Sequence, residues 1–186
     1  MYMPDQMIEL IRKYYNDRGK AEGVFTEMEI PARTTLLNEG EIADRIYFIK
    51  KGCLRMWFNK DGRDVTFQFF FEGQPVASID SFLNGQPGMF SIESIEPSVL
   101  FAIKKEAFEE MHRLNPELKE MFNAFIFRRF SNYAHLFLSR IRDTPAERYN
   151  ELINNHPEIV KRVPQHYIAS YLGITPVSLS RIRNRK

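Results

Sequence analysis

The chain contains a single cysteine and no long apolar run. A lone thiol, Cys53, excludes an internal disulfide, a four-thiolate iron–sulfur cluster and a zinc site built from several cysteines. No stretch approaches the ~20 apolar residues that span a bilayer, and Met1–Arg18 lacks the basic start and apolar middle of a secretory signal. These absences predict a cytoplasmic protein with no membrane partner, in which Cys53 is a packing or surface thiol.

Charge is spread unevenly along the chain. Pro157–Lys186 has six lysines and arginines against one acid, so this segment carries a net charge of +5, and the rest of the chain −3 of the overall +2. A basic end on an acidic body is typical of a polyanion-binding module joined to a regulatory body, although a solvated tail would give the same pattern. Because no Ser–His–Asp set, phosphate-cradling glycine loop or metal-ligand spacing is present, we expect no enzymatic activity and no metal site.

The periodicity of the apolar residues changes along the chain. Met3–Tyr15 favours a short amphipathic helix. From about Val24 to Ile103, short runs of β-branched and aromatic residues alternate with Gly, Pro and Asp, which predicts an antiparallel sandwich or jelly roll. Asp61-Gly62 lies between two such runs and predicts a hairpin turn. The corners of this β-domain are expected at Gly40, Gly52, Gly62 and Gly73.

A long helix is predicted to begin at Asn115-Pro116 and to run to about Arg142, since Asn is a favoured cap and Pro is tolerated in the first turn. Its apolar band is wider than a single surface stripe, so the helix needs partners on two sides. We expect one side to pack on the β-domain and the other on the same helix of a second copy; burial wholly within one monomer is the alternative. The predicted dimer residues are Leu118, Met121, Phe122, Phe125, Ile126, Phe130, Tyr133 and Phe137.

Thr144-Pro145-Ala146-Glu147 has the pattern of a capping box with Pro at the first helical position. A new helix therefore starts there, and the chain bends between Arg142 and Thr144. The predicted architecture is α+β with three parts: an N-terminal antiparallel β-roll at 1–115, the long connecting helix at 116–142 and a C-terminal helical domain at 143–186.

The last segment has the residue spacing of a helix-turn-helix. Ala169 is small where two helices approach, Gly173 supplies the tight turn, and Leu179 is spaced to pin the second helix onto the first. Thr175-Pro176 predicts the start of that second helix. Further apolar contacts are expected from Ile168, Leu172, Ile174 and Ile182. An ordinary helical hairpin shares several of these positions, but the spacing and the basic end together predict DNA binding.

The second helix of such a motif meets base edges with its first turns. Arg181 can form a bidentate pair with guanine, Val177 offers apolar contact, and Ser178 is a third candidate reader. We expect the other polar residues to meet phosphates or solvent, including a phosphate at the start of the first helix. The candidate DNA-contacting residues are Gln165, Thr175, Val177, Ser178, Ser180, Arg181, Arg183, Arg185 and Lys186.

The order of β-roll, long helix and helix-turn-helix, together with "TLLNEGEIADRIYFIKKGCLRMWFNKDG", resembles the cyclic-AMP receptor and fumarate–nitrate regulator (CRP/FNR) family of bacterial transcription factors. The likeness runs from about Phe25 to Arg183. It implies a homodimer on a two-fold symmetric operator in double-stranded DNA, with a cyclic nucleotide-binding-like β-roll as sensor and the long helix as dimer seam. The two recognition helices would then lie ~34 Å apart, one turn of DNA.

The family's nucleotide pocket corresponds to "GQPVASIDSFLNGQPGMFSIESI". The family pattern has a Gly-Glu pair that starts a short helix and holds the ribose, and an Arg ten residues after the Glu that pairs with the cyclic phosphate. This chain has Ala77, Ser78 and Gly88 at those positions, and nearby Asp80 has the wrong sign. A buried phosphate without a compensating charge costs several kcal/mol, so the departures predict no cyclic nucleotide bound in the family's manner and no other cofactor.

The same segment supplies the predicted effector region. Its apolar members either hold an unknown metabolite or are packed shut. The region comprises Val76, Ala77, Ser78, Ile79, Gly88, Met89 and Phe90.

Two further features of the family are haem sensing and a wing beside the recognition helix. Haem sensing needs a placed axial ligand, and the histidines are scattered: His112, His135, His156 and His166. Many family members carry a β-hairpin wing after the recognition helix, and this chain stops three residues past Arg183. We therefore expect DNA affinity to depend on dimerisation and on the basic tail.

The sequence thus predicts a homodimeric, sequence-specific DNA-binding transcriptional regulator, with RNA polymerase as a further candidate partner. An alternative from another class is a ligand-binding sensor module that acts through protein partners. A second alternative is a cyclic-nucleotide receptor with altered contacts.

Overall fold

The computed structural model describes residues 9–13, 15 and 25–184, and it confirms the predicted α+β fold. Residues 9–13 and 15 are helical, in agreement with that part of the helix predicted over Met3–Tyr15; the rest of that prediction lies outside the described residues. Within the described ranges, no helix combines the length and apolarity needed to cross a membrane.

Eight described strands form two four-stranded sheets. In chain order they are β1 (Phe25–Ile30), β2 (Thr35–Leu37), β3 (Arg45–Lys51), β4 (Leu54–Lys60), β5 (Arg63–Phe70), β6 (Pro75–Val76), β7 (Ser91–Ser94) and β8 (Ser98–Lys104). The first sheet has the order β1-β8-β3-β6 and the second β2-β7-β4-β5. A chain that passes repeatedly between two sheets is typical of a jelly roll, as predicted.

Strands β3 and β8 lie at the centre of the first sheet and contribute to the core of the β-roll. β3 pairs antiparallel with β8, so that Ile46 lies opposite Ile103 and Ile49 opposite Leu100. These four side chains are all buried. β-branched and aromatic residues are favoured on such pleated surfaces because they pack against cross-strand neighbours.

The hairpin between β4 and β5 turns at Asp61 and Gly62, as predicted. Both residues have positive φ, 53° and 78°, which a two-residue turn of the primed type requires and which Gly adopts without steric cost. The Gly62 N–H also donates to Asn59 Oδ1 at 3.0 Å. The other predicted corner glycines, Gly40, Gly52 and Gly73, have positive φ as well.

Seven labelled helices complete the described fold. They are α1 (Ile79–Asn84), α2 (Lys105–Leu114), α3 (Pro116–Arg142), α4 (Pro145–Asn155), α5 (Pro157–Arg162), α6 (Gln165–Leu172) and α7 (Pro176–Arg183). The predicted long helix is α3, and its start is capped by Asn115, whose Oδ1 accepts from the Leu118 N–H at 3.1 Å.

The predicted capping box is present at the start of α4. The Glu147 N–H donates to Thr144 Oγ1 at 3.3 Å, and Glu147 Oε2 accepts from the Thr144 N–H at 2.7 Å and from the Thr144 hydroxyl at 2.8 Å. Two N–H groups at the helix start are thereby satisfied reciprocally. The break between α3 and α4 therefore lies where the sequence predicts it.

The chain folds into two compact units. The first comprises Met1–Arg55 and Phe70–Arg129, and the second Met56–Phe69 and Phe130–Lys186. The units differ from the predicted three-part division with limits at 115 and 142. The outer part of the β4–β5 hairpin joins the C-terminal helices because it is bonded to α6, as in the hydrogen bond from the Thr66 N–H to Ser170 Oγ at 2.9 Å.

Candidate functional site

The helix-turn-helix is formed by α6 and α7. α6 ends at Gly173, which has the left-handed conformation with φ 69° and ψ 32°, and the following Ile174 N–H donates to the Ala169 carbonyl at 3.0 Å. A left-handed residue at this place turns the chain sharply and is easiest for Gly. Ala169 is fully buried, as expected for a small residue where two helices meet.

α7 begins at Thr175, as predicted. The Thr175 Oγ1 accepts from the Ser178 N–H at 3.1 Å and lies 3.0 Å from the Ser178 hydroxyl. Leu179, in the next turn, is only 1% exposed and anchors α7 on α6. The cap and the anchor together fix both the start and the rotation of α7.

Most of the candidate DNA-contacting residues on α7 are exposed. Val177 is 60% exposed, and Ser180, Arg181 and Arg183 are also exposed. Ser178 is half-buried. Gln165 is exposed at the start of α6, and Pro164 before it makes no side-chain cap bond. Arg185 and Lys186 lie outside the described residues.

Two arginines that the sequence analysis missed hold the end of α6. Arg140 Nη2 on α3 donates to the Tyr171 carbonyl at 2.8 Å. Arg148 on α4 donates from Nη2 to the Leu172 carbonyl at 3.0 Å and from Nη1 to the Asp143 carbonyl at 2.7 Å. Cations at a helix C-terminus satisfy its last carbonyls and complement the helix dipole. Nothing in the sequence spacing links these distant positions.

The predicted dimer residues divide into core and surface. Leu118 and Phe122 were wrongly assigned to a dimer seam: both are buried in the first unit, where the Phe122 ring meets Phe108 of α2 edge-on with centroids 4.9 Å apart. In the second unit, the half-buried Tyr133 ring lies 5.2 Å from the Phe67 ring. Met121, Phe125 and Ile126, which belong to the first unit, are also half-buried.

The surface of α3 carries an exposed apolar stripe. Phe130 and Phe137, both predicted, are exposed, and Phe127, Leu138 and Ile141 add to them. The positions 127, 130, 134, 137 and 141, with Ala134 at the centre, alternate spacings of three and four residues. This is the repeat of a two-helix coiled-coil seam. Among these residues Phe127 escaped the sequence analysis, because the apolar band was counted without knowledge of which side the β-roll covers.

The effector region surrounds the start of α1. Val76, Ala77 and Ser78 are buried. Gly88 is buried too, its N–H donates to the Glu41 carbonyl at 2.8 Å, and its carbonyl accepts from the Gly40 N–H at 2.8 Å. A Cβ on Gly88 would lie 2.9 Å from Ser78 Oγ. A side chain at the position where the family pattern has a phosphate-binding Arg would therefore require the Ser78 hydroxyl to move.

The remaining effector residues differ in exposure. Ile79 and Phe90 are half-buried, whereas Met89 is 62% exposed. The prediction that Met89 lines an apolar pocket is therefore wrong, because this side chain is exposed to solvent. Asp80 is exposed as well, and its Oδ1 accepts from Asn84 Nδ2 at 2.7 Å.

The first unit also contains a buried ion pair that sequence reasoning missed. Arg55 on β4 and Glu93 on β7 are both buried, and Arg55 Nη2 donates to Glu93 Oε2 at 3.2 Å. A buried charge is tolerated when it is paired in this way. The signal in the sequence was an arginine within the otherwise apolar run "CLRMWF", which interrupts a strand expected to be buried.

The histidines are separate from one another. His112 is half-buried beside Phe108 and Phe122, with ring centroids 5.7 and 5.6 Å away; burial and then the charge of Lys119 lower its pKa. His156 Nδ1 lies 3.3 Å from Glu158 Oε1. Across residues 9–13, 15 and 25–184, no three His, Cys, Asp or Glu side chains are grouped so that they could hold a metal ion.

The described architecture is thus a β-roll followed by a long helix and a helix-turn-helix. Residues 27–115 match the family model of the cyclic nucleotide-binding domain. The predicted resemblance to CRP/FNR proteins is confirmed by this match and by the relatives that follow.

Two curated relatives and one solved structure illustrate the likeness. The cAMP-activated global transcriptional regulator CRP of Pasteurella multocida is 24% identical over 103 residues, which are 55% of this chain and 49% of CRP. The Neuropathy target esterase sws of Drosophila willistoni is 26% identical over 140 residues, 69% of this chain but 9% of the esterase. The chain thus spans about half the length of CRP and a small part of the esterase.

The structure of FixK2 from Bradyrhizobium japonicum has the same fold. It superimposes with a TM-score of 0.73 at 20% sequence identity, and the match covers 87% of this chain and 84% of FixK2.

Proposed function

We propose that the chain is a sequence-specific DNA-binding transcriptional regulator that acts as a homodimer in the cytoplasm. The observation that carries the proposal is the outward face of α7. Val177 and Arg181, one turn apart, are exposed there, whereas Leu179 is buried; Arg183 is exposed at the end of the helix. A helix anchored on one side and presenting apolar and cationic side chains on the other has the arrangement of a recognition helix in the major groove.

The residues of the motif have separate roles in this proposal. Arg181 pairs with a guanine through its guanidinium, and Val177 contacts a thymine methyl. Thr175 and Ser178 bond to each other at the start of α7, which fixes the first turn against the bases. Phosphate contacts come from the N-terminus of α6 at Gln165 and from the remaining polar residues Ser180, Arg183, Arg185 and Lys186.

The dimer is proposed to form through the exposed stripe on α3. Phe127, Phe130, Phe137 and Ile141 are exposed at the spacing of a coiled-coil seam, with Ala134 between them. A second copy of the same helix presents the same stripe, so a two-fold axis covers both at once. The operator is then two-fold symmetric, with half-sites ~34 Å apart.

The β-roll is proposed to act without a cyclic nucleotide of the family's usual kind, without another cofactor and without catalysis. Ala77, Ser78 and Gly88 replace the ribose- and phosphate-binding residues, and a Cβ at Gly88 would lie 2.9 Å from Ser78 Oγ. The buried cation of this unit, Arg55, is paired with Glu93. The roll therefore either senses an effector of another kind or is closed. RNA polymerase is the further partner that such a regulator would engage.

The test is fluorescence anisotropy on an operator selected from random double-stranded DNA by the wild-type protein. Arg181→Ala is expected to weaken binding by roughly 10–100-fold and to relax preference at one base pair, because a bidentate guanine contact is lost. Wild-type affinity should fall steeply with salt. Arg113→Ala, an exposed arginine at the end of α2, removes the same charge from the first unit and should leave affinity unchanged.

Two outcomes oppose the proposal. Failure to select any DNA sequence, or a signal that does not respond to salt, favours a sensor module that acts through protein partners. Sub-millimolar binding of cyclic AMP or cyclic GMP in calorimetry contradicts the part of the proposal that concerns the β-roll.

A further inference from the structure

The hydroxyl of Ser170 on α6 joins the helix-turn-helix to strand β5. It accepts a hydrogen bond from the Thr66 N–H at 2.9 Å and donates one to the Asp64 carbonyl at 2.9 Å. β5 is the last strand in its sheet, and backbone groups two residues apart point to the same edge of a strand. A serine hydroxyl is both donor and acceptor, so this one group satisfies two polar groups of that edge.

Two aromatic contacts follow these hydrogen bonds along β5. The Tyr171 ring is 5.3 Å from the Phe69 ring, and the Tyr133 ring of α3 is 5.2 Å from the Phe67 ring. Both pairs lie within the second unit, which contains Met56–Phe69 together with the C-terminal helices. β5 is therefore held to α6 by two hydrogen bonds and one ring contact, and to α3 by a second ring contact.

The residues after Ser170 are fixed from other directions. The Tyr171 carbonyl accepts from Arg140 of α3, and the Leu172 carbonyl accepts from Arg148 of α4. Three successive residues thus bond to three different elements immediately before the turn at Gly173. Contacts from β5, α3 and α4 therefore meet immediately before the turn that leads to α7.

We infer that Ser170 is a positioning residue for the recognition helix, through which the position of β5 sets the orientation of α7 on DNA. The inference rests on the proposed DNA-binding function and concerns its regulation. β5 continues from the second unit into the first between Phe69 and Phe70. The strand is therefore a covalent route by which a change in the β-roll reaches the helix-turn-helix, and Ser170 is the contact at its end.

The experiment measures amide hydrogen exchange and operator binding in the same variant. In Ser170→Ala the Thr66 N–H loses its acceptor, so its hydrogen exchange should become about tenfold faster, while the amide of Ile168 in the same helix keeps its rate. Affinity for the selected operator should fall about three- to tenfold, with the salt slope unchanged because no phosphate contact is lost.

Two further variants separate positioning from general damage. Ser170→Thr keeps the hydroxyl and should restore both the exchange rate and the affinity to within about twofold. Ser131→Ala removes an exposed hydroxyl from α3 in the same unit and should change neither quantity. A reduced salt slope in Ser170→Ala would mean that Ser170 contacts phosphate, and this would overturn the inference.

The inference can fail while the proposed function stands, and the proposed function can fail while the inference stands. Operator affinity within twofold of wild type in Ser170→Ala, or an unchanged Thr66 exchange rate, overturns the inference alone. If the wild-type protein selects no DNA, the proposed function fails. The coupling is then tested by the amide chemical shifts of Ser178 and Arg181, which should move in Ser170→Ala and whose constancy would contradict it.

Discussion

Two regions of this molecule, one in each unit, place the same residue types differently. In the first unit, Arg55 of β4 pairs with Glu93 out of solvent, and Phe122 in the early part of α3 is core. In the second unit, Arg181 of α7 and Phe137 in the later part of α3 are exposed. The buried groups have partners within their unit, and the exposed ones are available to other molecules.

The largest expected effects come from a comparison of two phenylalanines on α3. Phe122 is 6% exposed and Phe137 is 65% exposed. Phe122→Ala should lower the free energy of unfolding by about 4 kcal/mol, because it removes a packed ring and leaves a cavity. Phe137→Ala should leave monomer stability within about 0.5 kcal/mol but raise the dimer dissociation constant roughly thirtyfold, as the loss of a central apolar contact would.

Urea denaturation and analytical ultracentrifugation measure the two effects separately. Asn132→Ala, an exposed change on α3 outside the stripe, serves as the control: it should leave the dimer dissociation constant unchanged and the stability within about 0.5 kcal/mol. If Phe122→Ala dissociates the dimer without loss of stability, the division of α3 into a core half and a partner half is wrong.

Local patterns in the sequence predicted the ends of elements well. The caps at Asn115, Thr144 and Thr175, the hairpin at Asp61-Gly62 and the helix-turn-helix turn at Gly173 were all predicted, because each is decided by residues within one turn of the chain. The order of the elements and the β-roll followed from the change in apolar period and from the resemblance.

Contacts between distant positions were not predictable in this way. The face of α3 that meets the β-roll decides which aromatic residues are core, and its periodic pattern does not contain that information, so Leu118 and Phe122 were assigned wrongly. The hydrogen bonds of Arg140 and Ser170 join positions 31 and 104 residues apart, and polar residues on helices carry no local sign of such partners.

The next test concerns the inward-facing charges of the first unit. Glu93→Ala should lower the free energy of unfolding by about 3 kcal/mol, since it leaves the Arg55 guanidinium buried without its carboxylate. The double variant Arg55→Met with Glu93→Leu should lose less than the single one, because apolar residues of similar size can replace a buried pair. Equilibrium urea denaturation measures both. A single variant as stable as the wild type would show that this pair does not hold the first unit together.

The smallest expected effect belongs to an outward-facing polar group of the second unit. Thr144→Ala removes a hydroxyl that caps α4 at the surface and should lower the free energy of unfolding by about 1 kcal/mol at neutral pH. Hydrogen bonds from the Thr144 backbone and side chain hold the pKa of Glu147 below its ordinary value. A lowered carboxyl pKa stabilises the folded state above the ordinary value of about 4.3, and this contribution is lost as the pH falls through the folded pKa.

The difference in unfolding free energy between wild type and Thr144→Ala should therefore narrow as the pH falls below about 4, because protonation of Glu147 removes the charge-assisted bond from the Thr144 hydroxyl. Glu147→Gln supplies the control: it keeps a side chain that can accept from the cap but cannot titrate, so in its background the effect of Thr144→Ala should not depend on pH. Thermal unfolding followed by circular dichroism at several pH values measures the difference. An effect of Thr144→Ala as large as that of Glu93→Ala would remove the contrast between the units, because a surface cap would then stabilise the protein as much as a buried ion pair does.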